Sequence, residues 1–167
     1  MTVPYLAAPC GAAARSIRPC SQADNVVSLR AWPLRSYLEL AARPEAVRPA
    51  RQHATTVARR WRLDALADTV ELLVSELVTN AVLASAGRAE QRARTSAPQI
   101  RCWLASDRYQ MMIHIWDADR RLPVSQDAGP DAETGRGLLL VATLSARWGC
   151  YSPHGHNGKI VWALCAP

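Results

Sequence analysis

The chain has 167 residues, 49% of them hydrophobic and 20% charged, with a formal net charge of +6. That length suits one domain with a substantial core and leaves little room for a second, and the apolar share excludes wholesale disorder. No uninterrupted apolar run approaches the ~20 residues that a bilayer span requires, so no membrane partner is expected.

Met1 to Cys20 lacks a basic stretch followed by an apolar run and is broken by Pro4, Pro9 and Pro19. A cytoplasmic location is therefore expected. Ala, Pro, Arg and Ser are scattered over the opening residues without a helical or strand period. A disordered basic N-terminal tail is predicted over residues 1–36, with the folded domain over residues 37–167. Periodicity begins at Tyr37-Leu38-Glu39-Leu40, a short edge strand. Pro44 opens a helical pattern that carries Val47, Ala50, Ala54, Val57, Ala58 and Trp61 through Arg62. Pro49 lies early in it, where a missing N–H is tolerated.

The next helix has the strongest local signal. Asp68 and Thr69 read as caps, and Val70, Leu73, Val74, Leu77, Val78, Ala81 and Val82 recur at three- and four-residue steps. Gly87 reads as its C-terminal stop, followed by a polar loop from Arg88 to Pro98. Gln99 to Ser106 and Tyr109 to Asp117 alternate as two strands joined by a tight turn at Asp107-Arg108. Pro123 to Thr134 is a long Pro/Asp/Gly-rich loop of the kind that often serves function. Gly135 to Arg147 is helical again, with Leu138, Val141, Ala142 and Leu144 as its apolar face. Trp148 to Ser152 and Lys159 to Leu164 form a last strand pair. This order predicts a two-layer α/β sandwich: a mixed, mostly antiparallel sheet with helices on one face.

Two compositional signals need weighing. The five cysteines (Cys10, Cys20, Cys102, Cys150, Cys165) are odd in number and lack C-x-x-C spacing, which favours reduced thiols over a disulfide framework or zinc site. Lys159 is the only lysine among 20 basic residues. Residues 1–35 hold Arg15, Arg18, Arg30 and Arg35 against Asp24, so 4 − 1 = +3 lies there and 6 − 3 = +3 in the remainder. Coding bias plus a basic arm explains this better than a nucleic-acid-binding module, which stays the weaker reading.

Three features carry chemistry. Glu76 and Asn80 are four apart and share one face of an apolar helix. They form either a solvent-facing polar stripe or a partly buried pair that demands a partner. Asp117 follows the apolar run Ile113-His114-Ile115-Trp116, where it either opens a turn or accepts a hydrogen bond in a cleft. Thr134-Gly135-Arg136-Gly137-Leu138 leads a loop into a helix, where glycines let backbone N–H groups approach an anion. His154-Gly155-His156 more often decorates a turn than binds a metal.

Taken together, on these elements and with the final Gly158-Lys159-x-Val161-Trp162 strand, these residues resemble the GHKL superfamily of Bergerat-fold ATPases. Ser75 to Ala81, Gly135 to Leu138 and Arg147 to Gly149 resemble motifs of its anti-sigma-factor serine/threonine kinase branch. The resemblance covers roughly Tyr37 to Leu164. It implies the Bergerat ATP-binding fold with ATP and Mg²⁺ as cofactors. Asn80 would bind Mg²⁺ and Glu76 would be the catalytic base. Asp117 would accept from the adenine amino group. Gly135, Arg136, Gly137 and Leu138 would give backbone donors to the phosphates, with the loop over residues 123–134 as a lid. Arg136 either adds charge at the phosphates or is an ordinary surface arginine.

The activity implied is phosphorylation of an anti-sigma-factor antagonist, with a sigma factor as second partner and transcription controlled by partner switching. Members of the branch commonly form homodimers. The rival within the same pocket is a catalytically inactive ATP-dependent protein-binding switch. Four positions depart from the pattern. Asp117-Ala118-Asp119-Arg120-Arg121 lacks the glycines of Asp-x-Gly-x-Gly, Ala84 replaces a common His, and Ile160 replaces a Thr whose hydroxyl would assist Asp117.

Overall fold

The computed structural model describes residues 32–89, 98–121, 136–153 and 157–167. Strand β1 (Leu34–Ala41) alternates half-buried and exposed positions, as one face of a strand against a core should. Trp32, just before it, is buried with Ala105, Met112, Trp162 and Leu164. Residues 32–36 thus belong to the folded unit and not to the tail expected over residues 1–36. Residues 1–31 of that tail lie outside the described residues.

Helix α1 (Val47–Arg60) follows a short 3₁₀ turn at Pro44–Ala46. It ends two residues before Arg62, which adopts a left-handed φ of 61°. The Arg62 N–H bonds to the Arg59 carbonyl and the Leu63 N–H to the Ala58 carbonyl, the paired bonds of a Schellman stop. Leu63 is buried there. A second 3₁₀ turn, Asp64–Leu66, leads into α2 (Ala67–Ala89). Asp68 and Thr69 therefore lie inside the first turn and do not precede it, and the negative charge of Asp68 still favours that end. Gly87 falls in the last turn of α2, because the helix continues to Ala89.

All seven residues of the apolar stripe predicted for α2 are buried. The stretch Asp64–Ala86 is long and apolar enough to span a membrane by length and composition. Its apolar stripe is already engaged within this core.

Strands β2 (Gln99–Ser106) and β3 (Met111–Asp117) pair with Ser106 opposite Met111, so residues 107–110 form a four-residue connection and not a two-residue turn. Asp107 organises it: its Oδ1 accepts from the N–H groups of Tyr109 and Gln110, while Ser106 Oγ accepts from Arg108 N–H. These bonds hold Arg108 at a φ of 82°, the conformation a glycine would otherwise supply. Helix α3 (Arg136–Leu144), β4 (Arg147–Tyr151) and β5 (Lys159–Cys165) complete the fold. Val141 of α3 is buried, but Ala142 is exposed and leaves the expected apolar face.

The strands are ordered β1-β2-β3-β5-β4. Every described pairing is antiparallel, in line with the mostly antiparallel sheet expected and without the parallel pair that a mixed sheet would add. The crossover through α3 makes β3 and β4 parallel in direction, but β5 inserts between them, antiparallel to both. The helices lie on one face, as the two-layer α/β reading requires. Ile100, Cys102, Leu104, Ile113, Ile115, Val161 and Ala163 join the cluster that contains Ala54, Leu73, Leu77 and Val141. Cys102, Cys150 and Cys165 are free and buried, used as small apolar residues.

Candidate functional site

Side-chain alternation decides which polar groups face the helix layer. Along β3, Met111, Ile113 and Ile115 belong to the main core, so Asp117 continues that face at the end of the strand. Along β5, Val161, Ala163 and Cys165 do the same, so Lys159 continues it. The β3–β5 register places these two residues directly opposite each other. Lys159 Nζ donates to Asp117 Oδ1 at 2.9 Å and to the Asp119 carbonyl at 3.3 Å. The Asp119 N–H donates to the same Asp117 oxygen at 2.8 Å. Asp117 is 1% and Lys159 4% exposed, so this is a buried ion pair at the end of the core-facing side of the sheet.

Burial pushes the Asp117 carboxyl up, and the hydrogen bond and charge of Lys159 oppose that shift. Asp119 is also buried, which alone would raise it. The hydrogen bonds from Arg121 and the charge of Lys159 outweigh burial and hold it below the usual carboxylate range.

The second group lies between α2 and α3. Glu76 and Asn80 are half-buried, so the solvent-stripe reading fails. Gly137, in the first turn of α3, stands against both. A Cβ added there would come within 2.5 Å of Glu76 Oε2 and 3.7 Å of Asn80 Nδ2. The α3 start thus lies close to both polar side chains, and a Cβ there would push the flexible end of Glu76 aside. Asn80 Nδ2 is buried without a hydrogen-bond partner. A buried amide left unpaired costs roughly 1–3 kcal/mol, which a polar ligand would recover.

The unpaired Asn80 Nδ2 is a donor and fits an anionic oxygen such as that of a phosphate. The carboxamide oxygen of the same side chain is the hard ligand that a phosphate-bound Mg²⁺ would take. Leu138 is half-buried on α3. Gly135 and the predicted lid lie outside the described residues, as does the Arg136 side chain, although Arg136 starts α3. His154 and His156 also lie outside them.

Sequence reasoning named Gly158 and Lys159 in a terminal motif and Asp119 beyond Asp117, but gave none of the three a role in the site. Gly158 adopts a φ of 105° and packs against the Asp117 carbonyl and the Trp116 indole. The Trp116 indole N–H donates to the Asn157 carbonyl at 3.1 Å, which fixes the turn that delivers Lys159. Arg101 stacks over the same indole, 4.8 Å from the Trp116 ring centre. The available signal was the lone lysine in an arginine-rich chain, but only strand pairing reveals its partner. Ile160 alternates to the face opposite Asp117, so a residue at that position does not supply the Asp117 partner; Lys159 does.

No curated protein matches the chain closely enough to count as a relative. A family model described as the histidine kinase-like ATPase domain matches residues 40–164, about three quarters of the 167 residues. That interval contains both polar groups just described and every strand and helix from the end of β1 to β5, so the chain belongs to the histidine kinase-like ATPase domain family, within the GHKL superfamily.

Proposed function

We propose that the chain is an ATP-dependent serine/threonine kinase that phosphorylates an anti-sigma-factor antagonist, with a sigma factor as its second partner. The observation that carries this reading is the Gly137 approach to Glu76 and Asn80, with the Asn80 Nδ2 donor buried and unpaired. Family membership supports the ATP-binding part. The resemblance of Ser75–Ala81, Gly135–Leu138 and Arg147–Gly149 to the kinase branch supports the rest.

Phosphoryl transfer needs positioning and charge neutralisation more than covalent help from the protein. Bound Mg²⁺ would supply neutralisation of the phosphate oxygens. Asn80 would hold it through its carboxamide oxygen. Glu76, one helical turn away, is placed to take the proton of the attacking hydroxyl. Asp117 accepts from the adenine amino group at the sheet end of the cleft. The backbone of Gly137 and Leu138 at the α3 start gives N–H donors to the phosphates.

Thermal unfolding with ATP and Mg²⁺ tests the reading. Ligand at ~100 times its Kd stabilises the native state by about 2.7 kcal/mol, a rise of several degrees in a domain of this size. Asn80→Ala should abolish that rise. Glu76→Ala should retain it and lower transfer from labelled ATP to an antagonist protein by ~10²–10⁴-fold. Absence of any shift in a folded wild-type sample overturns ATP binding. Transfer undiminished in Glu76→Ala overturns the role of Glu76 as base. ATP binding without transfer in the wild type favours the protein-binding switch.

A further inference from the structure

Asp117 is buried beside a lysine, and this bears on how it reads a base. A carboxylate that selects an amino group must stay ionised, because a neutral carboxyl carries its own O–H and can receive a carbonyl equally well. Burial works against ionisation. The described hydrogen bonds to Asp117, from Lys159 Nζ and the Asp119 N–H, both converge on Oδ1. They leave Oδ2 to a ligand.

We propose that Lys159 is a positioning and specificity residue: by occupying Oδ1 it holds Asp117 as an ionised acceptor with Oδ2 free for one donor, the exocyclic amine of adenine. A base with a carbonyl at that place is thereby rejected. This rests on the reading of Asp117 as the adenine acceptor. The lysine is itself held on three sides. The strand register sets it opposite Asp117, its Nζ also reaches the Asp119 carbonyl, and the preceding Gly158 packs against the Asp117 backbone.

The charges acting on Asp117 among the described residues are few. Lys159 on β5 favours the ionised form, and Asp119 just beyond β3 opposes it. Arg121 pairs with Asp119 at 2.9 Å and offsets its charge. From α2, the ionisable Glu76 faces Gly137 of α3. Loss of Lys159 would therefore leave burial and Asp119 opposed only by one backbone N–H.

Calorimetric binding of ATP and GTP to the full chain, with Mg²⁺ and between pH 6.5 and 8.5, tests the proposal in the wild type, Lys159→Met and Lys159→Gln. Gln keeps a hydrogen-bond donor without the charge, so it separates charge from packing. Wild-type ATP affinity should stay nearly constant over this range. Both variants should bind ATP about tenfold more weakly at pH 6.5, recover as pH rises and lose preference over GTP, since each unit of pKa shift is a factor of ten. A folded Lys159→Gln with wild-type affinity, preference and pH profile overturns the role of Lys159 and spares the ATP reading. A wild type that binds no ATP overturns both. If neither variant folds, the Asp117 carboxyl ¹³C shift in the unmodified chain decides: ionised at pH 7 supports the proposal, and neutral at pH 7 overturns it.

Discussion

Gly158→Ala is expected to lower the unfolding free energy by about 3 kcal/mol or more, and the melting temperature by roughly 10 °C. Two independent costs add at this position. Its φ of 105° lies where L side chains are strained. The new Cβ would also overlap the Asp117 backbone carbonyl and approach Trp116 Nε1 to 2.8 Å. A backbone carbonyl within a strand end cannot rotate aside as a flexible side chain can. Relief of the clash must move either Asp117 or the turn that delivers Lys159. The substitution should therefore weaken nucleotide binding as well as stability.

Gly149→Ala is the control. Its Cβ would meet the Trp162 ring at 3.0 to 3.1 Å, without a positive φ and against a side chain alone. It should cost clearly less. Calorimetric melting of both variants checks the comparison, and equal losses would contradict the backbone argument.

His114 should make stability fall as the medium becomes acidic. The residue lies on the face of the sheet away from the helices, between Trp103 and Trp162 in register. It is 2% exposed, and neither ring nitrogen has a hydrogen-bond partner. Burial pushes its pKa down to about 3. The folded chain then holds a neutral imidazole, while the unfolded chain binds a proton below its ordinary value of 6.5. The sign follows from linkage: stability is complete above that value and declines as pH falls through it toward the folded pKa.

Each pH unit in that window costs up to about 1.4 kcal/mol, so between pH 6.5 and 5 the loss should approach ~2 kcal/mol. Denaturant unfolding across this range measures it. His114→Leu removes two unpaired buried nitrogens at similar volume and should flatten the slope. A shallower slope should remain, because burial also lowers half-buried His53. Asp117, raised by burial, acts with the opposite sign in both proteins and cancels in the comparison. Identical slopes in the two chains would exclude His114 as the source.

Much of the candidate site was legible because local rules apply to it. Glu76 and Asn80 share a face by helical spacing alone, and their place in an apolar helix predicted partial burial. Asp117 closed a run of alternating apolar residues. Gly137 was readable as a glycine near a helix start, but its contact with Glu76 needs the packing of α3 on α2. The pairing of Lys159 with Asp117 was the larger omission. The lysine's partner lies 42 residues earlier, on a strand that β5 joins by inserting between β3 and β4. Sequence order offered no reason for that insertion.

The fold divides the same way. Element order, the α2 stripe and the strand alternations follow from periodicity, which each residue shares with neighbours three, four or two positions away. The strand order, the uniform antiparallel pairing and the inclusion of Trp32 in a second apolar cluster depend on contacts between distant segments. The Asp117–Lys159 ion pair belongs to that second class. By itself the sequence determined which residues are polar within apolar surroundings and hence where chemistry is concentrated. Only the tertiary structure decided which of them meet, because the partners of a buried charge are chosen by strand register and layer packing.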